Sequence, residues 1–457
     1  MQVPLEFEVT VSHNPYVSRE AKAVDAIVAV TAREPGGPAQ PRRGSAGKDG
    51  ASLAVVILVD CSHSMAVPIE KIESAKKATK AAIDALPDGS RFAVVAGRHD
   101  AVMVYPQHIP MLESATSANR TAAKGLVDTL EPHGGTAMGQ WLRLARTILS
   151  RDPSAVRHAI LLTDGNNESE TVAELERALD LCAGEFVADA RGIGDGWVPQ
   201  QLMRIASRMR GRADGVSAPE DLIADFEAMT RKAAARLLPD LTLRITASAP
   251  ARLRLLKLVF PLNQDMTEDV HWASEHTCTV STGSWQAETR HYQVSIDLRG
   301  MGRAHPTDGS RVAWIDAVVG EQRVTPRTNV VVAWSEDPIQ ISKMDPSIAF
   351  YKGQTQLAEA IEQGCEAYDS NDLDTAQARF GEAVRLARES GNQEQLDRLK
   401  ELVHIDDAAT GAVRVRTDLQ ASKVKRIMTG RTVTAMSQIQ GVGTAGVPGV
   451  PGQEAAG

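Results

Sequence analysis

An open α/β layer joined to an antiparallel β-sandwich and a C-terminal helical hairpin is the architecture this chain predicts, and three patterns predict it. Between residues 53 and 236 apolar runs alternate with helical stretches, as in a doubly wound, mostly parallel sheet covered by helices on both faces. On either side of that region, short segments of period-two alternation are separated by polar turns, the pattern of sandwich strands. Beyond residue 350 the spacing becomes helical. A length of 457 residues accommodates about three domains, and 43% apolar with 24% charged content is ordinary for a globular protein.

Residues 2–11 place Val3, Leu5, Phe7, Val9 and Val11 on one side of an extended chain, and 23–32 offers a second strand. These N-terminal strands, within residues 1–45, are expected to complete the sandwich, which makes the α/β region at 46–236 an insertion within a β domain. The intervening EPGGPAQPRRGSAGKDG, residues 34–50, has the composition of an exposed connection. Strands follow at 53–59, 91–97, 101–105, 156–163 and 185–193, and helices at 69–86, 117–130, 137–150, 171–182, 198–209 and 219–236. Too few residues separate 91–97 from 101–105 for a crossover helix, so these two form a hairpin.

Pro239 closes the helical region, and alternation resumes at 241–247, 252–260, 277–282, 290–299, 311–320 and 330–334, giving a sandwich domain over 237–340. In the helical segment 350–405, Gly364, Ala367, Tyr368, Asp372, Leu373, Ala376, Phe380 and Ala383 resemble one tetratricopeptide-type repeat. A lone repeat lacks neighbours to cover its apolar face, so a helical hairpin docked on the rest of the protein is the favoured reading. Residues 406–457 read as linker followed by a disordered Gly, Pro and Ala tail. The basic group Lys423, Lys425, Arg426 and Arg431, beside Thr429, Thr432 and Thr434, reads as solvated linker in preference to a phosphoacceptor site.

Chemistry concentrates at the ends of strands. Residues 53–65, LAVVILVDCSHSM, form a buried run that breaks into Asp60, Ser62 and Ser64. Thr136 ends PHGGT, and Asp164 sits in AILLTDG. Each has an ordinary explanation alone, as a helix cap or turn residue. Together they offer hydroxyls and carboxylates with no soft donor, which suits a hard cation such as Mg²⁺, or Mn²⁺ or Ca²⁺. Gly134 and Gly135 give the threonine loop room for close approach. His63 and His133 read as rim residues, and Cys61 as a small side chain packed beneath the loop.

Residues 53–232 resemble a von Willebrand factor A domain of the kind found in bacterial cytoplasmic proteins, and the five oxygen-bearing residues match that family's metal-ion-dependent adhesion site in order and spacing. The resemblance implies that Ser62, Ser64 and Thr136 touch the metal directly, that Asp60 and Asp164 act through water, and that a partner protein's Asp or Glu carboxylate completes the coordination. It also implies the antiparallel edge hairpin. A Mg²⁺-dependent protein-binding module without catalytic residues is therefore expected. One alternative is an accessory subunit of an ATP-driven machine, which would need a partner ATPase, since this chain has no Gly-x-x-x-x-Gly-Lys-Ser/Thr loop. Another is a metal-dependent hydrolase or phosphatase with Asp60 as nucleophile; Ser62 stands where haloacid-dehalogenase-type phosphatases place a second acid, and no Gly-x-Ser-x-Gly occurs.

A net charge of -8 without a basic footprint argues against nucleic acid as partner. The N-terminal alternation is unlike a signal peptide and no run approaches a membrane span, so no membrane partner and a cytoplasmic location are expected. Cys61, Cys182, Cys278 and Cys365 lack close spacing and are expected to be free thiols.

Overall fold

The protein is described by a computed structural model over residues 3–35, 52–216, 221–299, 301, 309–416 and 419–436. Most of the 34–50 connection and the tail from residue 437 onward lie outside these described residues. The fold class read from the sequence is borne out.

Seven strands form the α/β sheet. From one edge the order is Ala213–Val216, Val187–Ile193, Val156–Thr163, Leu53–Asp60, Arg91–Gly97 and Ala101–Tyr105, with Glu113–Ser114 also paired to Arg91–Gly97. The pairings from Ala213–Val216 through Arg91–Gly97 are parallel. Arg91–Gly97 and Ala101–Tyr105 make the expected antiparallel hairpin, with Gly97 opposite Ala101.

Leu53–Asp60 is buried along its whole length. Val55 and Ile57 pack on one face with Ile72, Ala75 and Phe226, while Val56 and Leu58 pack on the other with Trp141, Leu142 and Leu202. A strand covered by helices on both faces has no solvent side, which is why its sequence is an unbroken apolar run. Gly97 is required by this packing, because a Cβ there would lie 2.4 Å from the Trp141 indole. Ala213–Val216 was not anticipated. Its four residues include Asp214 and Gly215, so no local pattern marks it, and its parallel register with Ala190–Ile193 is a tertiary effect.

The sandwich is built from both sides of the insertion. In one sheet Glu6–Ser12 pairs with Ala23–Arg33, followed by Thr289–Asp297, Arg252–Phe260 and Gln264–Asp265. The other sheet runs His271–Trp272, Thr277–Ser281, Thr242–Ala247, Ser310–Val319, Thr328–Trp334 and Tyr16–Val17. Val9, Val28, Leu243, Leu256, Trp285, Tyr292 and Ile315 share one core between them. The chain thus leaves the sandwich after Arg33 and returns to it at Thr242.

Helices Pro346–Asp369 and Leu373–Glu389 pack as a hairpin in which Gly364 lies against the Phe380 ring. The reading of everything after 405 as linker and tail needs correction for the described part. Val403–Asp407 and Ala412–Val415 form a β-hairpin, and Ala421–Gly430 is a helix. Val413, Val424, Ile427 and Met428 bury themselves in the same core as Phe380 and Leu399. Three of the basic residues there are not solvated linker either. Lys425 Nζ donates to the Asp195 and Trp197 carbonyls at 2.5 and 2.7 Å, Arg426 pairs with Glu401, and Arg431 pairs with Glu362. Arg398 reaches back to the α/β edge strand, donating to Asp214 at 2.6 Å. Among the described residues, no helix is long and apolar enough to cross a membrane.

His291, 3% exposed, sits between the sandwich and the helix Pro346–Asp369, with Nδ1 2.5 Å from the Tyr351 hydroxyl. Burial pulls its pKa from 6.5 down to about 4. The unfolded state therefore takes up a proton that the folded state refuses, and stability falls as pH drops from about 6.5 to about 4, by about 3 kcal/mol at most. His291→Gln should flatten that part of the curve in urea denaturation measured against pH; a slope identical to the parent's would contradict this.

Candidate metal centre

The strand Leu53–Asp60 has Arg91–Gly97 on one side and Val156–Thr163 on the other, so the chain crosses over in opposite directions from this point. Such a switch point opens a crevice beyond the carboxyl ends of the strands, and all five oxygen-bearing residues lie around it. Asp60 is the last residue of its strand, and Asp164 immediately follows Val156–Thr163. Ser62 immediately precedes a short turn at His63–Ala66. Thr136 stands two residues before the helix Met138–Leu149.

Backbone bonds lock the loops together. His63 N donates to Gly134 O and His133 N to Cys61 O, both at 2.8 Å, so the threonine loop is laced to the serine loop. Gly134 makes this possible with a φ of +76°, and a side chain there would strike His99. Ser169 N donates to Thr136 O at 2.9 Å, tying in the loop after Asp164.

The side chains then form a connected set. Ser62 N donates to Asp60 Oδ1 at 2.7 Å, and Ser62 Oγ lies 3.0 Å from Ser64 Oγ. Ser64 Oγ donates to Asp164 Oδ1 at 2.6 Å. Thr136 enters the same space: a Cβ on Gly165 would sit 3.2 Å from Thr136 Oγ1, 3.4 Å from Ser64 Oγ and 3.8 Å from Asp60 Oδ2. The structure thus brings together all five residues singled out from the sequence. Asp60 and Asp164 have no exposure, Ser62 and Thr136 have 2%, and Ser64 is exposed at the mouth.

Burial pushes the Asp60 carboxyl up to about 6, against hydrogen bonds from Ser62 and Thr163 that pull it down. A cation beside it would favour the charged form. Burial also pushes the Cys61 thiol up to about 12, which suits a packed, unreactive side chain. The donor set of three hydroxyls and two carboxylates around a point left open by a glycine could hold a hard divalent cation.

Two residues of the site escaped sequence reasoning. Thr163 Oγ1 donates to Asp60 Oδ2 at 2.5 Å, and Lys71 Nζ donates to Asp164 Oδ2 at 2.6 Å. The Thr-Asp-Gly ending of its strand was the available signal for Thr163; Lys71 had only its position in the first turn of the helix after the serine loop. At the rim, Arg98 contacts His133 and donates through Nε to Asp100 at 3.3 Å.

A family model of the von Willebrand factor type A domain matches residues 53–214, and one of the von Willebrand factor type A C-terminal domain matches 385–422. A solved von Willebrand factor type A protein from Catenulispora acidiphila is 34% identical, with 95% of this chain and 98% of that one covered and a TM-score of 0.83. The ArnB paralog VWA2 from Sulfolobus acidocaldarius shares the fold at 13% identity, with 94% of this chain and 100% of that one covered and a TM-score of 0.55. An uncharacterized protein of Synechocystis sp. is 26% identical over 215 residues, or 45% of this chain and 48% of that protein. The chain therefore spans about half the length of this curated relative.

Thr163→Val keeps the shape of the side chain and removes the donor to Asp60. The buried carboxylate then loses a partner, and chemical denaturation at neutral pH should show a loss of about 1–3 kcal/mol. A change within experimental error would mean that Thr163 does not hold Asp60 in solution.

Proposed function

The chain belongs to the von Willebrand factor type A family, and from that premise we propose that it is a divalent-cation-dependent protein-binding module. One observation carries the reading: Ser64, Thr136 and Asp60 present oxygen atoms to a single point beside Gly165, remote from one another in sequence. On this reading Ser62, Ser64 and Thr136 hold Mg²⁺ directly, or Mn²⁺ or Ca²⁺ in its place, and Asp60 and Asp164 support it through water. A bound divalent ion would supply an electrophilic centre for a partner's Asp or Glu carboxylate. Neutral hydroxyls suit that task because they leave much of the ion's charge unneutralised. Ser64 opens the site to solvent, and the exposed Val67 and Ile69 beyond it add apolar contact surface for the same partner.

The geometry disfavours Asp60 as the nucleophile of a phosphatase. Its Oδ1 accepts from Ser62 N, its Oδ2 accepts from Thr163 Oγ1, and the carboxylate has no solvent exposure. A nucleophile must reach its substrate, and this carboxylate is held by two donors with no surface open to one.

Mg²⁺ should raise the melting temperature of the parent protein, and Asp60→Ala or Thr136→Ala should remove most of that rise while the circular dichroism spectrum stays native. Equal stabilisation of parent and variants would contradict the assignment. A pull-down performed with Mg²⁺ and with chelator should recover partners only with the metal; identical recovery in both would argue for a binding surface elsewhere.

A further inference from the structure

Lys71 stands beside the proposed ion, on the first turn of the helix Glu70–Ala85. Its ammonium donates to Asp164 Oδ2 at 2.6 Å and to the Ser64 carbonyl at 3.4 Å. The lysine side chain is 16% exposed and the carboxylate 0%, so solvent and salt screen this pair poorly. Gly194 leaves room for the stem to pass: a Cβ there would lie 3.2 Å from Lys71 Cε. The other carboxylate oxygen, Asp164 Oδ1, already accepts from Ser64 Oγ at 2.6 Å. A fixed positive charge therefore sits on the carboxylate that a metal at this site would also use.

We propose that Lys71 is an internal counter-ion that competes with the divalent cation for Asp164 and holds the metal affinity of the site down; the inference rests on the metal-binding reading above. Two carboxylates and one ammonium leave the site with a formal charge of about -1, so an entering divalent ion takes it to about +1 instead of neutrality. The ammonium repels the ion and must share or give up its carboxylate. A partner's acid group supplies the missing negative charge, which makes metal retention depend on partner binding. Without the lysine, the two carboxylates would match the ion's charge unaided, and the metal would be held with no partner present.

The test is a titration of the full chain with Mn²⁺, followed by calorimetry, for the parent, Lys71→Met, Lys71→Gln and Thr136→Ala. Lys71→Met should bind Mn²⁺ at least about tenfold more tightly than the parent. Its metal-free form should melt lower than the parent, because Asp164 is left buried without its counter-charge. Lys71→Gln can still donate a hydrogen bond to Asp164 but carries no charge, so it should tighten as well, and it serves if the methionine variant fails to fold. Unchanged or weaker Mn²⁺ binding in the Lys71 variants, with binding by the parent abolished in Thr136→Ala, overturns the role of Lys71 and leaves the site assignment standing. No saturable binding in the parent or in either Lys71 variant overturns the site assignment and this inference together.

Discussion

A carboxylate without solvent contact at the end of the central strand is the constraint around which this structure is organised. Asp60 has lost its hydration, and its compensation comes from Ser62 N on one oxygen and Thr163 Oγ1 on the other. Those two donors come from its own loop and from the end of the neighbouring strand, so strand register and loop conformation are fixed together. Burial still pushes its pKa up to about 6. The hydroxyls of Ser62, Ser64 and Thr136 surround this buried carboxylate.

The remainder of the molecule braces this arrangement. The sandwich holds both ends of the α/β unit, through Ala23–Arg33 on one side and Thr242–Ala247 on the other. The C-terminal helix Ala421–Gly430 grips the loop next to the site, with Lys425 donating to the Asp195 and Trp197 carbonyls. Gly196 in that loop passes so close to the Asp164 backbone that a Cβ would lie 2.4 Å from its carbonyl oxygen. The proposed metal face and the C-terminal region are thus joined by direct contacts through residues 194–197.

What could be read in the sequence was whatever is written locally. The all-apolar run before Asp60, the Ser-x-Ser spacing and the glycines before Thr136 each mark a strand end or loop without tertiary information. The helices and the main strands of the α/β sheet followed from periodicity for the same reason. Thr163 acts across from a neighbouring strand and Lys71 across from a helix, so beyond the Thr-Asp-Gly strand ending no local pattern announces their roles. The strand Ala213–Val216 is short, interrupted by Asp214 and Gly215, and held by its neighbour's register. The helix Ala421–Gly430 did carry an i, i+3, i+4 apolar pattern in Val424, Ile427 and Met428, but interleaved lysines and arginines resembled a solvated segment. Lys425, Arg426 and Arg431 are taken up by carbonyls and acids from elsewhere in the fold, a pairing that a linear reading cannot supply.

The most direct measurement is a crystal structure of the full chain grown with Mn²⁺, using anomalous scattering at the manganese edge. The account predicts one strong peak among the oxygens of Ser62, Ser64 and Thr136, at about 2.1–2.3 Å from them, with Asp60 and Asp164 farther away. A peak at another location, or none here at saturating Mn²⁺, would contradict it.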